Sequence, residues 1–474
     1  MQWKTLAVDL DGTLIRSDML IETGFAYLKA NPLRFYRPLV WIAQGGKAHL
    51  KAKLAAATHV DVSTLPYDPK VIEWLKRERA AGRSLVLATA SDARYAEAIS
   101  GHLGLFDKTL ATDGKVNLSS GRKRDALVRE FGNKGFDYAG NSHDDIAVWE
   151  AAERAYVVNP SPGVARRAQK IGNVERVLQT RKNPLRVWLK ALRVHQWLKN
   201  LLIFIPLLAS HQVSSLELDL RGVLAFVLFG LCASSVYLLN DLLDLDDDRH
   251  HPTKRRRPFA SGSLSIVWGM VAFPVLAIGA FAGALIWLPW RFAAVLAGYY
   301  VLTMLYSFVL KRRVILDVVV LAMLYTARII AGTAAFRMNL TFWLLGFSMF
   351  LFLSLALVKR YAELHATRVA GGAKARGRGY IADDLSMISS LGAASGYLSV
   401  LVLALYIQDS KTTHLYSHPQ VIWLACPLLL YWISRTWLIT HRGLMHDDPV
   451  VFAAKDRTSL LTVALMGLVF WFAI

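Results

Sequence analysis

Between Asn240 and Gly262 the chain reads NDLLDLDDDRHHPTKRRRPFASG. Asn240, Asp244 and Asp248 recur every four residues, and Asp241 stands three before Asp244. On a helix, that spacing lines most of their oxygens along one face. Carboxylates in a row repel one another unless a cation sits among them. Hard oxygen donors in that arrangement suit Mg²⁺, which keeps part of its water shell and binds substrate phosphates. Lys254, Arg255, Arg256 and Arg257 follow, and guanidinium forks match phosphate oxygens bidentately. Asn240, Asp241, Asp244 and Asp248 are therefore candidate metal ligands, the three aspartates also catalytic candidates. Lys254, Arg255 and Arg257 are candidate phosphate binders. Together these residues describe a site for a Mg–pyrophosphate substrate. A charged loop that only sets topology is the competing reading. It accounts for the arginines but not for the helical spacing of the acids.

A second set of chemical residues opens the chain. Thr5 to Leu10 is a short apolar strand that carries Asp9 near its end, with Asp11, Gly12 and Thr13 next. Two aspartates two residues apart, leaving a strand for a glycine turn, suit phosphoryl transfer. One carboxylate attacks phosphorus and the other protonates the leaving oxygen. The segment DLDGTL resembles the first motif of the haloacid dehalogenase (HAD) superfamily, and the resemblance runs through roughly the first 165 residues. It implies an α/β Rossmann-like domain over 1–180 with a helical cap at about 16–78. It implies that Thr89, after the strand SLVLA, supplies a phosphate-binding hydroxyl, with Ser91 near it, and that Lys123 is the phosphate-binding lysine. Asp9, Asp11, Asn141 and Asp145 are the implied Mg²⁺ ligands. The strand FDYA leads to GNSHDD, where the superfamily usually has Gly-Asp. Asn141 is neutral and a weaker ligand than a carboxylate. An active phosphatase and a docking domain with weakened catalysis both follow from this pattern, and the intact Asp9 and Asp11 favour the first.

The elements that must position these residues are unevenly apolar. Hydrophobic residues make up 54% of the 474, too many for an ordinary soluble enzyme of this size. The first ~180 residues read as soluble and the rest as membrane. Nine apolar segments are expected, near 186–210, 221–240, 264–288, 291–310, 314–335, 341–360, 387–407, 419–439 and 456–474. Lys and Arg concentrate in alternate loops, which places those loops and the N-terminal domain in the cytoplasm of a multi-pass inner-membrane protein. MQWKTLAVDLDGT shows no signal peptide. Trp287, Trp290, Trp423, Trp432 and Trp471 fall near segment ends, where an interfacial belt or interior packing would place them. The formal charge of +20 calls for anionic partners. Nucleic acid is the poorest of these, because the cations sit in short loops between apolar runs. Cys232 and Cys426 form no metal spacing and no disulfide framework. Three further clusters share the cytoplasmic side: His195 and Lys199 in HQWLKN; Lys359, Arg360, Tyr361 and Glu363 in KRYAELH; and Asp447, Asp448, Lys455, Asp456 and Arg457. Taken singly, each is more often an interfacial anchor than a ligand; on the shared side Lys359 and Arg360 could hold phosphate, Glu363 could complete a second metal position, and His195 and Lys199 could contact an anionic substrate. Asp317 and Arg328, inside the fifth segment, could pair or line a cavity.

Nine spans, NDxxDxxxD and a second polar cluster after the sixth span resemble the UbiA superfamily of intramembrane prenyltransferases. The resemblance covers about 185 to 474, so the domains expected are 1–180 and an all-α bundle over 184–474. NDLLDLDDDRHHPTKRRRPFASG, HQWLKN, KRYAEL and HDDPVVFAAKDR look most like the branch that transfers phosphoribose to decaprenyl phosphate. Aromatic-prenylating members usually carry DxxxD in the second motif, and this chain has YAELH. The resemblance implies a Mg²⁺-dependent enzyme whose partners are phosphoribosyl pyrophosphate, a polyprenyl phosphate and the bilayer, compatible with a homo-oligomer. The HAD domain would remove the 5-phosphate of the product. A prenyl pyrophosphate-using transferase and a transporter with a regulatory HAD domain are the alternatives.

Overall fold

A computed structural model describes the chain apart from residues 1–2, 114–115, 182, 211–214, 373–378, 410–415 and 446–447. It divides into two units: Met1–Leu192 with Leu238–Ala272, and Arg193–Tyr237 with Phe273–Ile474.

The first unit is built on a six-stranded, all-parallel sheet. Its strands are β1 (Thr5–Val8), β2 (Leu85–Asp92), β3 (Lys108–Thr112), β4 (Phe136–Gly140), β5 (Ala155–Val158) and β6 (Val174–Leu178). Their order is β3-β2-β1-β4-β5-β6. Burial on both faces explains why TLAV, LVLA and FDYA are nearly continuous apolar runs. The order reverses between β1 and β4, and such switch points open a crevice at the strands' C-terminal ends. Asp9 and Asn141 stand just past the ends of β1 and β4, and Thr89 lies in the C-terminal half of β2. The segment expected as a cap divides in two. Met19–Ala30 and Arg37–Ala57 pack on each other through Tyr27, Leu50 and Leu54. Pro69–Ala80 instead puts Val71, Trp74 and Leu75 into the core under the sheet. The basic stretch after Asn159 forms a helix, Val164–Ile171, and then β6, so it completes the sheet.

Among the described residues seven helices are long and apolar enough to cross a membrane: Leu216–Leu243, Ile266–Trp287, Trp290–Phe308, Leu316–Phe336, Phe342–Val369, Ala382–Gln408 and Pro419–His441. Pro449–Lys455 and Arg457–Ala473, bent by 81°, make an eighth if they form one broken span. The expectation of nine is not met at 186–210. That stretch breaks into a helix Pro184–Ala191, a tight 3₁₀ run Val194–Phe204 and a short helix Ile205–Ala209. Arg193 in a left-handed conformation stops the first piece, and Pro206 starts the last. Asn200 within the 3₁₀ run is drawn inward to accept a hydrogen bond from Arg328 Nε at 3.1 Å. The tryptophans divide as well. Trp287, Trp290, Trp423 and Trp471 are exposed, whereas Trp432 is buried and donates to Ser459 Oγ at 2.9 Å.

Candidate functional site

The switch-point crevice gathers the N-terminal acids. Asp9 is buried just past β1, and Lys123 Nζ, from the helix Gly121–Phe131, donates to its Oδ1 at 2.7 Å. The same ammonium reaches Asp145 Oδ1 at 3.3 Å and Tyr138 Oη at 2.9 Å. Burial lifts the Asp9 carboxyl to about 8, against the pull of Lys123. A buried carboxylate of that kind becomes comfortable in its ionised form when a cation is added. Asp11 is pinned at both oxygens, accepting from Met19 N at 2.8 Å and from Ser91 Oγ at 2.6 Å. Burial, aided by the charge of Asp18, lifts it to about 6, which suits a group that must give up a proton near neutrality. Thr89 is fully buried, and its Oγ1 accepts from Ser91 N at 3.0 Å.

The metal set expected here is only partly assembled. Asp145 Oδ2 accepts from the main chains of Asn141 and Ser142, each at 2.9 Å, and from Ser142 Oγ at 3.0 Å; its Oδ1 takes Lys123 and Tyr138. With both oxygens occupied, Asp145 braces the loop and the lysine rather than facing a metal. Asn141 lies tight against the turn: a Cβ on Gly12, whose φ is +75°, would stand 2.3 Å from Asn141 Nδ2. That contact and the left-handed backbone both require glycine at 12. Asp9, the Asp11 main-chain carbonyl and the Asn141 side-chain oxygen, which accepts from Thr13 Oγ1 at 3.4 Å, would offer a hard divalent cation one charge fewer than a two-carboxylate site. Asn141→Asp should therefore raise Mg²⁺ affinity by about tenfold or more, read as a fall in the Mg²⁺ concentration that half-saturates the domain. An unchanged Mg²⁺ requirement would remove Asn141 from the ligand set. Lys51, which no local motif flags, reaches over from the helix Arg37–Ala57 to Ala90 O at 2.6 Å and Asn117 Oδ1 at 3.0 Å, and its charge acts on Asp11.

The acid row belongs to the same unit. The helix Leu216–Leu243 ends at Asp244, whose backbone leaves helical geometry, and Leu245–His250 follows. Asp244 N still donates to Asn240 O at 2.9 Å, and Asp248 N to Asp244 O at 2.8 Å, so the four-residue register survives the break. Asp241 and Asp248 are buried, Asn240 and Asp244 half-buried. Arg257 Nη1 donates to Asp241 Oδ1 at 3.1 Å and to Asp248 Oδ2 at 2.7 Å. Two buried carboxylates meeting at one cationic nitrogen mark a point that holds positive charge, while among the described residues no three acidic, His or Cys side chains converge as a ready metal cage. Burial raises the Asp248 carboxyl although Arg257 opposes it. Lys254, Arg255 and Arg256 are exposed beside this point in sequence. The pairing of this stretch with the cap had no signal in sequence. Arg249 is buried and makes a bidentate pair with Glu22 of the cap, Nη1 to Oε2 at 3.0 Å and Nη2 to Oε1 at 2.7 Å. Lys29 Nζ meets Asp246 Oδ2 at 2.8 Å, and His250 Nε2 lies 3.2 Å from Asp61 Oδ2.

The remaining candidates lie in the second unit. Lys199 Nζ donates to Asp448 Oδ2 at 2.7 Å and Lys359 Nζ to the same oxygen at 3.2 Å, while Tyr325 Oη donates to Asp448 Oδ1 at 3.1 Å. One carboxylate thus holds two ammonium groups together. Arg360 departs from its expected role as a phosphate binder. It is fully buried, paired with Asp317 Oδ2 at 2.7 Å and with Glu363, and Tyr380 Oη donates to Asp317 Oδ1 at 2.6 Å. Asp317 therefore pairs with Arg360 and not with Arg328, and Glu363 is turned to Arg360. A charge this deep in a bundle needs such a partner, and the helix neighbour supplies it. Tyr361 is buried with its hydroxyl 3.0 Å from His441 Nδ1. Asp456 caps Arg457–Ala473 through Ser459 N at 2.8 Å and pairs with Arg435, a structural task. His195 and Arg457 are exposed, and Asp447 lies outside the described residues.

Comparison with known proteins adds the following. Residues 201–455 match the UbiA prenyltransferase family, and residues 6–150 match the haloacid dehalogenase-like hydrolases. Over 470 residues the chain is 38% identical to the uncharacterized protein y4nM of Sinorhizobium fredii, covering 98% of this chain and 90% of that one. The nodulation protein NoeC of Azorhizobium caulinodans is 37% identical, over 61% of this chain and 94% of its own. The decaprenyl-phosphate phosphoribosyltransferase of Mycolicibacterium smegmatis is 32% identical, over 60% of this chain and 92% of its own.

Proposed function

Because the chain belongs to the UbiA prenyltransferase family and joins that membrane domain to an N-terminal HAD-like domain, we propose that it makes a phosphoribosyl lipid and then trims it. The membrane part, residues 184–474, transfers 5-phosphoribose from phosphoribosyl pyrophosphate to a polyprenyl phosphate. The HAD part, residues 1–180, removes the 5-phosphate on the cytoplasmic side of the inner membrane. The observation that carries the choice of substrates is the Lys199–Asp448–Lys359 cluster. Where prenyl pyrophosphate-using relatives usually place a second acidic motif, this chain has KRYAELH, whose Lys359 joins Lys199 around one carboxylate. Two ammoniums against one acid favour an anionic acceptor such as a lipid phosphate.

In this reading Asp241 and Asp248, with Asn240 and Asp244 beside them, would hold Mg²⁺, whose charge would make the pyrophosphate a better leaving group. Arg257, Lys254 and Arg255 bind the phosphates and offset the developing charge. A lipid phosphate oxygen attacks ribose C1; the bond from C1 to the pyrophosphate oxygen breaks, and pyrophosphate leaves with the electron pair. The nucleophile is already an anion, so no strong base is needed. In the HAD site Asp9 attacks the 5-phosphate, Asp11 protonates the departing ribose oxygen, and Lys123 balances the charge on the phosphoryl oxygens. Water then cleaves the aspartyl phosphate, with Asp11 taking the proton back.

Purified protein given labelled phosphoribosyl pyrophosphate, polyprenyl phosphate and Mg²⁺ should move label into lipid, and chelation should stop it. Label that stays in water, with a prenyl pyrophosphate consumed in its place on an aromatic acceptor, would replace this reading by the prenyltransferase one.

A further inference from the structure

The cap carries an apolar segment that neither reaction uses. Residues 32–44, PLRFYRPLVWIAQ, form the turn Pro32–Arg34 and the first turns of Arg37–Ala57. Leu33 is 89% exposed, Leu39 68% and Phe35 66%, and Tyr36, Val40 and Ile42 are exposed beside them. Six large apolar side chains within ten residues make a patch of the kind that marks an interaction surface. Arg34, Arg37 and Lys47, also exposed, frame it. The helix is broken at Gly45 and Gly46, the latter at φ +68°, and beyond the break Ala48, Leu50 and Leu54 turn inward. The patch is therefore a small lobe on a glycine joint.

Its place along the chain says what covers it. Lys29, four residues before Leu33, is tied to Asp246, and Glu22 and Asp61 are tied to Arg249 and His250. Those partners lie in the loop joining the spanning helices Leu216–Leu243 and Ile266–Trp287. Asp246 is three residues past a helix end, a rise of about 5 Å. Four residues of chain from Lys29 to Leu33 reach ~14 Å at most. The lobe thus starts within a headgroup layer's thickness of a membrane-crossing helix.

We propose that residues 32–44 seat in the interfacial layer of the bilayer that holds the chain. Phe35, Tyr36, Leu39 and Ile42 enter the tops of the acyl chains, and Arg34, Arg37 and Lys47 meet anionic phospholipid headgroups. Apolar and aromatic side chains framed by cations are the composition of an interfacial helix. If the phosphatase reading above is right, on which this consequence alone rests, the lobe holds the Asp9 crevice near lipid-borne phosphate.

The test uses the full chain in vesicles of phosphatidylglycerol and phosphatidylcholine. An environment-sensitive fluorophore is placed at Leu39→Cys and, as a reference, at Arg129→Cys on the exposed face of Gly121–Phe131. The Leu39 label should shift to the blue and be quenched by lipids carrying a quencher on the upper acyl chain. The Arg129 label should not, and pure phosphatidylcholine should weaken the effect. Equal water exposure of both labels in every lipid would overturn the proposal. So would energy transfer between differently labelled copies with no response to quencher lipids, which would show a second copy on the lobe. These readouts need no activity, so they stand whether or not the reaction is assigned correctly. A Phe35→Ser, Leu39→Ser variant should also lose about tenfold in phosphate release from a lipid substrate while a water-soluble phosphomonoester is cleaved as before.

Discussion

Asparagine at position 248 should cut transfer of labelled sugar to lipid by about two to three orders of magnitude, the scale expected when a preorganised charge is removed from a transition state. The substitution keeps shape and removes one of the two buried charges that meet at Arg257 Nη1. The remaining carboxylate, Asp241, would still attract the arginine, but the point of convergence would lose half its formal negative charge. A divalent ion would bind more weakly there, so part of the loss should return as Mg²⁺ is raised. Arg257 has one acid fewer to satisfy, so the fold should survive, which thermal unfolding would confirm. The neighbours supply the contrast. Asp246 and Asp247 are exposed on the outer face of the same short helix, and Asp247→Asn should stay within about twofold of wild type. Should Asp248→Asn keep more than a tenth of the wild-type rate at every Mg²⁺ concentration, the acid row is not the metal site.

What the sequence disclosed was mostly local. The helical spacing of Asn240, Asp244 and Asp248 is a property of neighbouring residues, and the hydrogen bonds from Asp244 N and Asp248 N keep that register even across a break. The parallel α/β fold was legible for a similar reason: TLAV, LVLA and FDYA are short buried runs, each followed within a few residues by a polar candidate, Asp9, Thr89 or Asn141. Long-range pairing was hidden. Arg360 at the end of an apolar run reads equally as a phosphate ligand or a core charge, and Asp317 on another helix decides it. Glu22 and Arg249 are 227 residues apart, and although Arg249 stands inside the acid-rich stretch nothing local points it to Glu22. The stretch 186–210 has the composition of a span, but composition does not register that Asn200 is drawn to Arg328 or that Arg193 turns left-handed. Hydropathy sets how much of a segment prefers lipid, and polar partners set whether it stays straight.

Asn in place of Asp9 should abolish release of inorganic phosphate and make the 5-phosphorylated lipid accumulate. The nucleophile of a phosphoryl transfer cannot be replaced by a neutral amide, and losses of about a thousandfold or more are the rule when such a group is removed. The side chain is buried beside Lys123, whose ammonium also holds Asp145 and Tyr138. An asparagine oxygen can still accept that hydrogen bond, so the variant should fold and its transferase step should run unchanged. Mass spectrometry of the lipid products would then show the phosphorylated species in the variant and the trimmed one in wild type. The contrast also bears on why the domains are fused. Trimming the product removes it from the transferase equilibrium, so a chain that does both draws the first step forward. If wild type and Asp9→Asn release equal phosphate, that account is wrong. The Glu22–Arg249 pair would remain, and the N-terminal domain would then act on the reaction only by holding the loop that carries Asp248.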